Sequence, residues 1–370
     1  MLIERRMLRS LDPLLVFAVA GLILFGLVAV FSAGGSSLYY FKRQIVWTII
    51  GCGIVVACLQ FDYRYFGRFT RLLYIAGIGA LAFTLFAGYV QMGAQRWLQL
   101  GSVPVQPSEF MKVILVITLA KHLEQHTFAT WRDMLSPLIH AGIPMLFVLL
   151  QPDLGSTIIF GSLWLGMVFV AGAPVKQLAI LTGSAAAVGG AALLASLKGW
   201  VSLIKPYQIK RILVFLDPYA YRYNEGYNII QSMYAIGSGR FFGKGFLAGS
   251  QTQLNFLPAR HTDFIFSVIG EEFGFLGALL LISLYMLFLW RTIRTIAEID
   301  SRFGRLLIAG IFTMFLAQFT INVGMSLGVM PVTGKPLPFI SYGGSASLAN
   351  FAALGIIFNV NMRRRKIHFS

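Results

Sequence analysis

The sequence predicts an all-α, polytopic integral membrane protein with ten transmembrane helices and one large extracytoplasmic loop between helices 7 and 8. Three features support this. Of the 370 residues, 57% are hydrophobic and only 12% are charged, against roughly 25% charged in a soluble domain. Apolar runs near 20 residues recur, the length that crosses a ~30 Å hydrocarbon core. The runs are continuous and do not alternate, which excludes a transmembrane β-barrel. The chain reads as a single membrane domain, 1–370, with no soluble second domain and no clear internal repeat.

The first run, Leu14 to Phe31, follows the basic residues Arg5, Arg6 and Arg9 and precedes small residues. That outline suits a secretory signal peptide, but the run is too long and more runs follow, so it reads as a retained first helix. The remaining spans are expected near 43–60, 72–91, 107–123, 137–151, 155–173, 176–197, 264–290, 304–326 and 339–361. Cys52 and Cys58 both lie in the second. Six residues apart on a helix they point in different directions, and no disulfide between them is expected. Span 4 opens with QPSEFMKV, where Pro107 and Ser108 suit a helix start. QPDLGS makes a tight turn between spans 5 and 6. The stretch 198–263 is the only long extramembrane segment. Within it KPYQIKRILVFLDPYAY mixes basic and apolar residues as an interfacial amphipathic helix does. A second amphipathic piece, from YNIIQSMY, ends in a glycine-rich turn.

An even number of spans puts both termini on one side, and Lys and Arg decide which. With the termini in the cytoplasm, the inner segments hold Arg5, Arg6, Arg9, Arg64, Arg68, Arg71, Lys121, Arg132, Lys176, Arg291, Arg294, Arg302, Arg305, Arg363, Arg364, Arg365 and Lys366. The short outer loops hold only Lys42, Arg43, Arg96 and Lys335. The net charge of +16 is explained by this bias. No nucleic-acid partner is expected.

The unusual polar groups fall on the extracytoplasmic side. In LNFLPARHTDFIFSVIGEEFG, Asp263 stands where polar loop gives way to an apolar helix, and ionisable groups at such boundaries are candidates for function. Glu109 and Lys112 share a face at i, i+3. Asp153 lies in QPDLGS, Arg96 in GAQRWLQLG, and Lys335 and Ser341 in TGKPLPFISYGGS. Arg211, Arg260 and His261 belong to the large loop. Each has a structural reading too. Asp263 would favour the positive end of the helix dipole, Glu109 and Lys112 would pair, Asp153 would cap span 6, and the loop cations would be solvated. Glu271 and Glu272, two turns into span 8, read as structural. A proton- or ion-driven transporter is expected to place such groups near the bilayer midplane. Clustering at one mouth suits chemistry on a membrane-bound substrate at the outer surface.

Three motifs are set aside. GRFFGKG, 239–245, lacks the spacing of a phosphate loop. His122 and His126 have i, i+4 spacing without an evident third ligand. The terminal RRRK run is a positive-inside anchor that also suits anionic lipid.

LPARHTDFIFSVIGEEFG, GAQRWLQLG with QPSEFMK, QPDLGS, QSMYAIGSG and PLPFISYGGS together resemble the SEDS family of bacterial cell-wall proteins, in the family's order and over essentially the whole chain. GAQRW, QSMYAIGSG and GSQTQLNFLPARHTDF are closer to its RodA, or elongation, branch than to the division branch, FtsW. Ala259 stands where the motif commonly has an acid. The resemblance implies a ten-helix peptidoglycan glycosyltransferase of the bacterial cytoplasmic membrane. Its substrates are lipid II and the growing glycan strand. Its partners are a class B penicillin-binding protein, a transpeptidase, and other membrane proteins of the elongation complex. The family's required aspartate maps onto Asp263, and its acid and lysine in span 4 onto Glu109 and Lys112.

Lipid II carries an α-linked pyrophosphate and the polymer is β-1,4-linked, so one displacement with one base suffices. Asp263 is expected to be that base, kept ionised and weak by a helix N-terminus. Lys112, Arg211, Arg260 and Lys335 are expected to stabilise the leaving pyrophosphate. The residues make no cofactor certain, and a divalent cation, Mg or Mn, would be compatible with that role. Two rival readings differ in what they demand. A lipid II flippase needs polar groups along the whole crossing path. A non-catalytic scaffold needs no carboxylate at 263.

Overall fold

Helix α1, Pro13–Ala33, begins where the sequence supplies a cap: Asp12 accepts hydrogen bonds from the Leu14 and Leu15 amides, and Pro13 occupies the first turn. The computed structural model describes residues 10–35, 37–91, 94–101, 103–200 and 206–363. Arg5, Arg6, Arg9, Arg364, Arg365 and Lys366 of the inward-facing charge set, and Lys205 of the expected interfacial helix, lie outside the described residues.

Helix α2, Tyr39–Gln60, follows, then a 3₁₀ turn at Tyr63–Arg68 and α3, Thr70–Ala87. The third span was expected to reach 91. It stops at Gly88, whose backbone is extended, and the chain enters three short antiparallel strands: β1, Tyr89–Gln91, β2, Ala94–Leu100, and β3, Val103–Val105. Tyr89 faces Trp97 and Leu98 faces Val105. The otherwise all-α fold therefore carries a small sheet that the sequence reading divided between the end of the third span and a loop. Its middle strand carries Arg96.

Helix α4 is Pro107–Leu123, with Pro107 in its first turn as the sequence suggests. Next come a 3₁₀ turn at Trp131–Met134, α5 at Leu135–Leu150, α6 at Leu154–Val170 and α7 at Val175–Leu197. The large loop folds into α8, Pro206–Leu216, a 3₁₀ turn at Tyr219–Tyr221, α9, Tyr227–Ser238, and α10, Ser250–Gln253. Val214 of α8 packs on Ile229 and Ile230 of α9, with Val332 beside them. Helices α11, Ile265–Ala297, α12, Arg302–Ser326, and α13, Gly344–Met362, complete the chain. The tenth span was expected from 339, but residues 331–343 form no helix.

Among the described residues, eight helices are long and apolar enough to cross a membrane. Helices α4 and α6, of 17 residues each, stand at the other two expected positions. At 1.5 Å per residue they reach about 25 Å. Helices α4, α12 and α13 are buried along most of their length, whereas α7 buries only Leu178. The polar side chains follow that division: Glu109, Lys112, Gln318, Asn322, Asn350 and Asn359 sit on the inner helices, away from lipid. Cys52 and Cys58 are free.

Helix α11 is broken. Gly274 sits at φ 63°, ψ −156°, a region open in practice only to glycine. Loop 239–245 fills the break. Phe275 and Leu276 amides donate to the Arg240 and Phe241 carbonyls at 2.9 and 3.2 Å, and the Lys244 and Gly245 amides donate to the Glu271 and Glu272 carbonyls at 3.0 Å each. A Cβ at 274 would collide with the Gly243 backbone. Gly274→Ala is expected to destabilise the fold by at least about 1–3 kcal/mol, read as a lowered thermal midpoint in detergent, while the neighbouring exposed Phe275→Ala shifts it far less.

Candidate active site

Four segments meet at one end of the bundle: the start of α4, the turn before α6, residues 331–343 before α13, and residues 259–264 before α11. Glu109 and Lys112 lie one turn apart on α4, both 1% exposed, with Nζ 2.7 Å from Oε2. Lys335, 2% exposed, reaches in from the 331–343 segment. Its Nζ lies 2.9 Å from Asp153 Oδ2, 2.5 Å from Ser156 Oγ and 3.7 Å from Glu109 Oε1. Glu109 thus faces two lysines and Lys335 faces two carboxylates. Buried charges persist when paired and hydrogen-bonded; each charge of this network is paired, although Glu109 Oε1 meets Lys335 only at 3.7 Å, without a hydrogen bond.

Asp153 does what its position before α6 suggests and more. It caps the helix through the Ser156 amide, 3.1 Å, and takes hydrogen bonds from Ser156 Oγ, 3.0 Å, and Gln106 Nε2, 3.2 Å. Arg96 approaches its other oxygen at 4.0 Å and donates to the Pro152 carbonyl at 2.8 Å. Burial would push the Asp153 carboxyl up, but Lys335, Arg96 and the Ser156 amide outweigh it and hold it at about 2.

Asp263 is placed by a tight turn. The Ala259 carbonyl, on a residue at φ 51°, accepts the amides of Thr262, Asp263 and Phe264 at 3.1, 3.1 and 3.3 Å. The acid that the motif commonly has at this point is therefore replaced at a position whose backbone shapes the turn. The Asp263 carboxylate is half-buried, with Oδ2 beside the bare Cα of Gly334. Among the described residues no ion pair holds it.

Asp263 is not made a weak base by a helix N-terminus, as the sequence reading expected. The first residue before α11 is Phe264, and no side chain caps the helix. Burial pushes the Asp263 carboxyl up to about 6, against the pull of Lys335, Arg211 and Arg96 and a hydrogen bond with Thr262. It is a stronger base than the sequence reading allowed.

Three other expected site residues have different surroundings. Arg260 turns toward the end of α1, donating to the Ala33 carbonyl at 2.7 Å and to Asn255, so it does not join the cationic cluster. His261 stacks on Tyr40 with ring centroids 4.0 Å apart. Burial, with Arg260 close by, lowers its pKa to about 4 and keeps the ring neutral. Ser341 Oγ accepts from the Leu337 amide, 2.8 Å, and donates to the Thr262 carbonyl, 2.6 Å; it braces the two loops.

Gln106, Ser156, Tyr40 and Asn322 also belong to this end of the bundle and were not singled out from sequence. Only Asn322 leaves a signal there, as an amide inside a long apolar run. The set-aside motifs stay set aside. Lys244 pairs with Glu271 at 2.8 Å, and that carboxylate also takes the Gln251 and Thr252 amides at 2.8 and 3.0 Å. Glu272 takes the Ser32 hydroxyl at 2.6 Å. His140 comes near His122, ring centroids 5.2 Å, yet among the described residues no group of three or more His, Cys, Asp or Glu is placed to hold a metal. Glu109 Oε2 and Asp153 Oδ2 each take a lysine.

The family described as cell cycle protein, FtsW/RodA/SpoVE, matches residues 13–366. The peptidoglycan glycosyltransferase MrdB of Escherichia coli K12 is 36% identical over 365 residues, 96% of this chain and 95% of that one. The peptidoglycan glycosyltransferase RodA of Treponema pallidum is 32% identical, covering 95% and 98%. Among solved structures, a chain from a peptidoglycan synthase complex that coordinates polymerization and crosslinking superposes with a TM-score of 0.84 at 32% identity, covering 96% and 99%. The rod shape determining protein RodA of Thermus thermophilus does so with 0.73 at 30%, covering 96% and 98%.

Lys335→Ala leaves two buried carboxylates short of a cation. It is expected to cost about 3–5 kcal/mol, read by thermal unfolding in detergent. Lys335→Met with Asp153→Asn in the same chain should cost less than the sum of the two single changes. Additive costs would show that the two are not an energetic unit.

Proposed function

We propose, from the premise that the chain belongs to the FtsW/RodA/SpoVE family and is a peptidoglycan glycosyltransferase of cell elongation, that Asp263 is the general base of glycosyl transfer. One observation carries the proposal. Among the described residues at this end of the bundle, the carboxylates of Glu109 and Asp153 are held by lysines, while that of Asp263 has no ion pair and is raised to about 6. Groups whose environments push their pKa values apart take different roles.

The substrate is lipid II, with the growing glycan as the second reactant. The acceptor GlcNAc 4-hydroxyl attacks the anomeric carbon of the donor MurNAc. The new C–O bond forms on the face opposite the pyrophosphate, the α-linked bond breaks, and the product is β-1,4-linked. Asp263 takes the hydroxyl proton, and undecaprenyl pyrophosphate departs with the bonding pair. With a pKa near 6 the base is ionised at neutral pH and close enough to it to accept a proton well. The transition state is oxocarbenium-like, and late proton transfer suits a base of that strength.

Positive charge must meet the leaving pyrophosphate. Lys335 and Arg211 act on the Asp263 carboxyl through their charge, and Lys112 stands behind Glu109. These three serve better than Arg260, which is bound elsewhere. Glu109 then positions cations, and Arg96 and Asp153 fix the turn that Lys335 docks into. The undecaprenyl tails would run between the apolar helices.

All ten helices cross the bacterial cytoplasmic membrane in this reading. Both termini are cytoplasmic, and the site opens to the outer face, as the distribution of Lys and Arg supports. A class B penicillin-binding protein is the partner, consistent with the synthase complex that the fold resembles.

Polymer made from purified lipid II by the protein with its transpeptidase, crosslinking blocked, tests this. Asp263→Ala is expected to lower the rate by about 10²–10⁴-fold. The wild-type rate should rise with pH through about 6, because protonation below that value removes the base. A folded Asp263→Ala protein with wild-type polymer length and rate would remove Asp263 from the chemistry.

A further inference from the structure

Asn322 lies on α12, fully buried. Its Nδ2 carries two hydrogens, and they go to two different carbonyls: that of Asp263 at 2.9 Å and that of Lys335 at 2.7 Å. Those residues are 72 positions apart in the chain. They are the acid and the cation whose charges meet at the site. We propose that Asn322 is a positioning residue of glycosyl transfer, which sets the spacing between Asp263 and Lys335 by holding both backbones on one side-chain amide. The proposal rests on the reading of Asp263 as the base.

The surroundings favour this over a chance contact. Three consecutive carbonyls ahead of α11 are tied to one neighbourhood. The His261 carbonyl accepts the Tyr342 amide at 2.9 Å, the Thr262 carbonyl accepts Ser341 Oγ at 2.6 Å, and the Asp263 carbonyl accepts Asn322. The first two ties come from the 331–343 segment itself. The third comes from α12 and binds that same segment at Lys335, so among the described residues Asn322 is the side chain that hydrogen-bonds the backbones of both the base and the cation. Gly334, at φ +67°, turns a bare Cα toward the acid; a Cβ there would lie 3.2 Å from Asp263 Oδ2, which keeps the segments close without filling the space beside the carboxylate. Meanwhile Asn322 Oδ1 has no hydrogen-bond partner among the described residues. A buried amide with its acceptor unmet costs stability, so its two donated bonds account for its presence better than packing does.

The spacing has an electrostatic consequence. The charged groups facing Asp263 are Lys335, Arg211 and Arg96, and Lys335 exerts the largest pull toward the ionised form. Only Lys335 rides on the segment that Asn322 holds. Lys335 is anchored by Asp153 and Ser156, so when the tie is lost it is the Asp263 turn that is released from the cation; that pull then weakens and the carboxyl binds its proton more tightly. The acid limb of the pH–rate profile then moves to higher pH, an effect that lost stability alone does not produce.

The test is lipid II polymerisation by the full-length protein with its transpeptidase, from pH 5 to 8, for wild type, Asn322→Leu and Asn322→Ser. Ser326→Ala, one turn further along α12, serves as the stability control. For the Asn322 variants the expected result is a kcat lowered about tenfold or more, a KM within about twofold, and an acid limb displaced upward by about half a pH unit or more. The control keeps the wild-type limb. Asn322→Ser is read if the leucine disturbs folding. A folded variant with an unmoved acid limb overturns the proposal, whatever its rate, and loss of folding in both variants assigns the amide to the fold and overturns it too. Normal polymerisation by Asp263→Ala would instead sink the base reading itself, so the two failures are distinguishable.

Discussion

Lys335 holds its ammonium between Glu109 on α4 and Asp153 in the turn before α6, in a part of the protein closed to water. A cation in such a place survives only if its partners are present with good geometry, and the same holds for each acid. The three charges therefore fix one another, and through them they fix α4, the turn before α6 and the segment before α13. Ser156, Gln106 and Arg96 hydrogen-bond or approach Asp153 and complete the arrangement. Nothing in this end of the bundle can move far without stranding a buried charge.

That rigidity separates the two aspartates in kind. Both lie in loops at helix starts and both feel Lys335. Asp153 binds it directly and stays near 2, while Asp263, with no ion pair among the described residues, feels it through space and rises to about 6. One environment makes a structural anion, the other a group able to exchange a proton near neutral pH. The neighbouring His261, neutral and stacked on Tyr40, supplies a wall and no competing base.

The broken helix α11 connects this site to the large loop. Gly274 lets the chain leave helical geometry, and loop 239–245 takes over hydrogen bonds that the helix abandons. Glu271 and Glu272, read from sequence as structural, turn out to bind that loop, α10 and the end of α1. The first segment of α11, which Asp263 precedes, is thereby fastened to α1, α10 and loop 239–245 as well.

Much of this was legible in the residues. Composition and run length determine a helical membrane bundle because lipid forces every backbone group to be satisfied within the span. The distribution of Lys and Arg argues its orientation, and motif resemblance identifies the family. The i, i+3 spacing of Glu109 and Lys112 made their pairing readable, because a helix brings those positions together. The strands at 89–105 escaped notice because short edge strands carry little periodic signal beside an apolar helix. The partner of Asp153, the turning away of Arg260 and the raised affinity of Asp263 for its proton were decided only by tertiary structure. Each depends on which side chains from distant segments share a buried volume, and on how much water is left there; sequence spacing holds neither quantity.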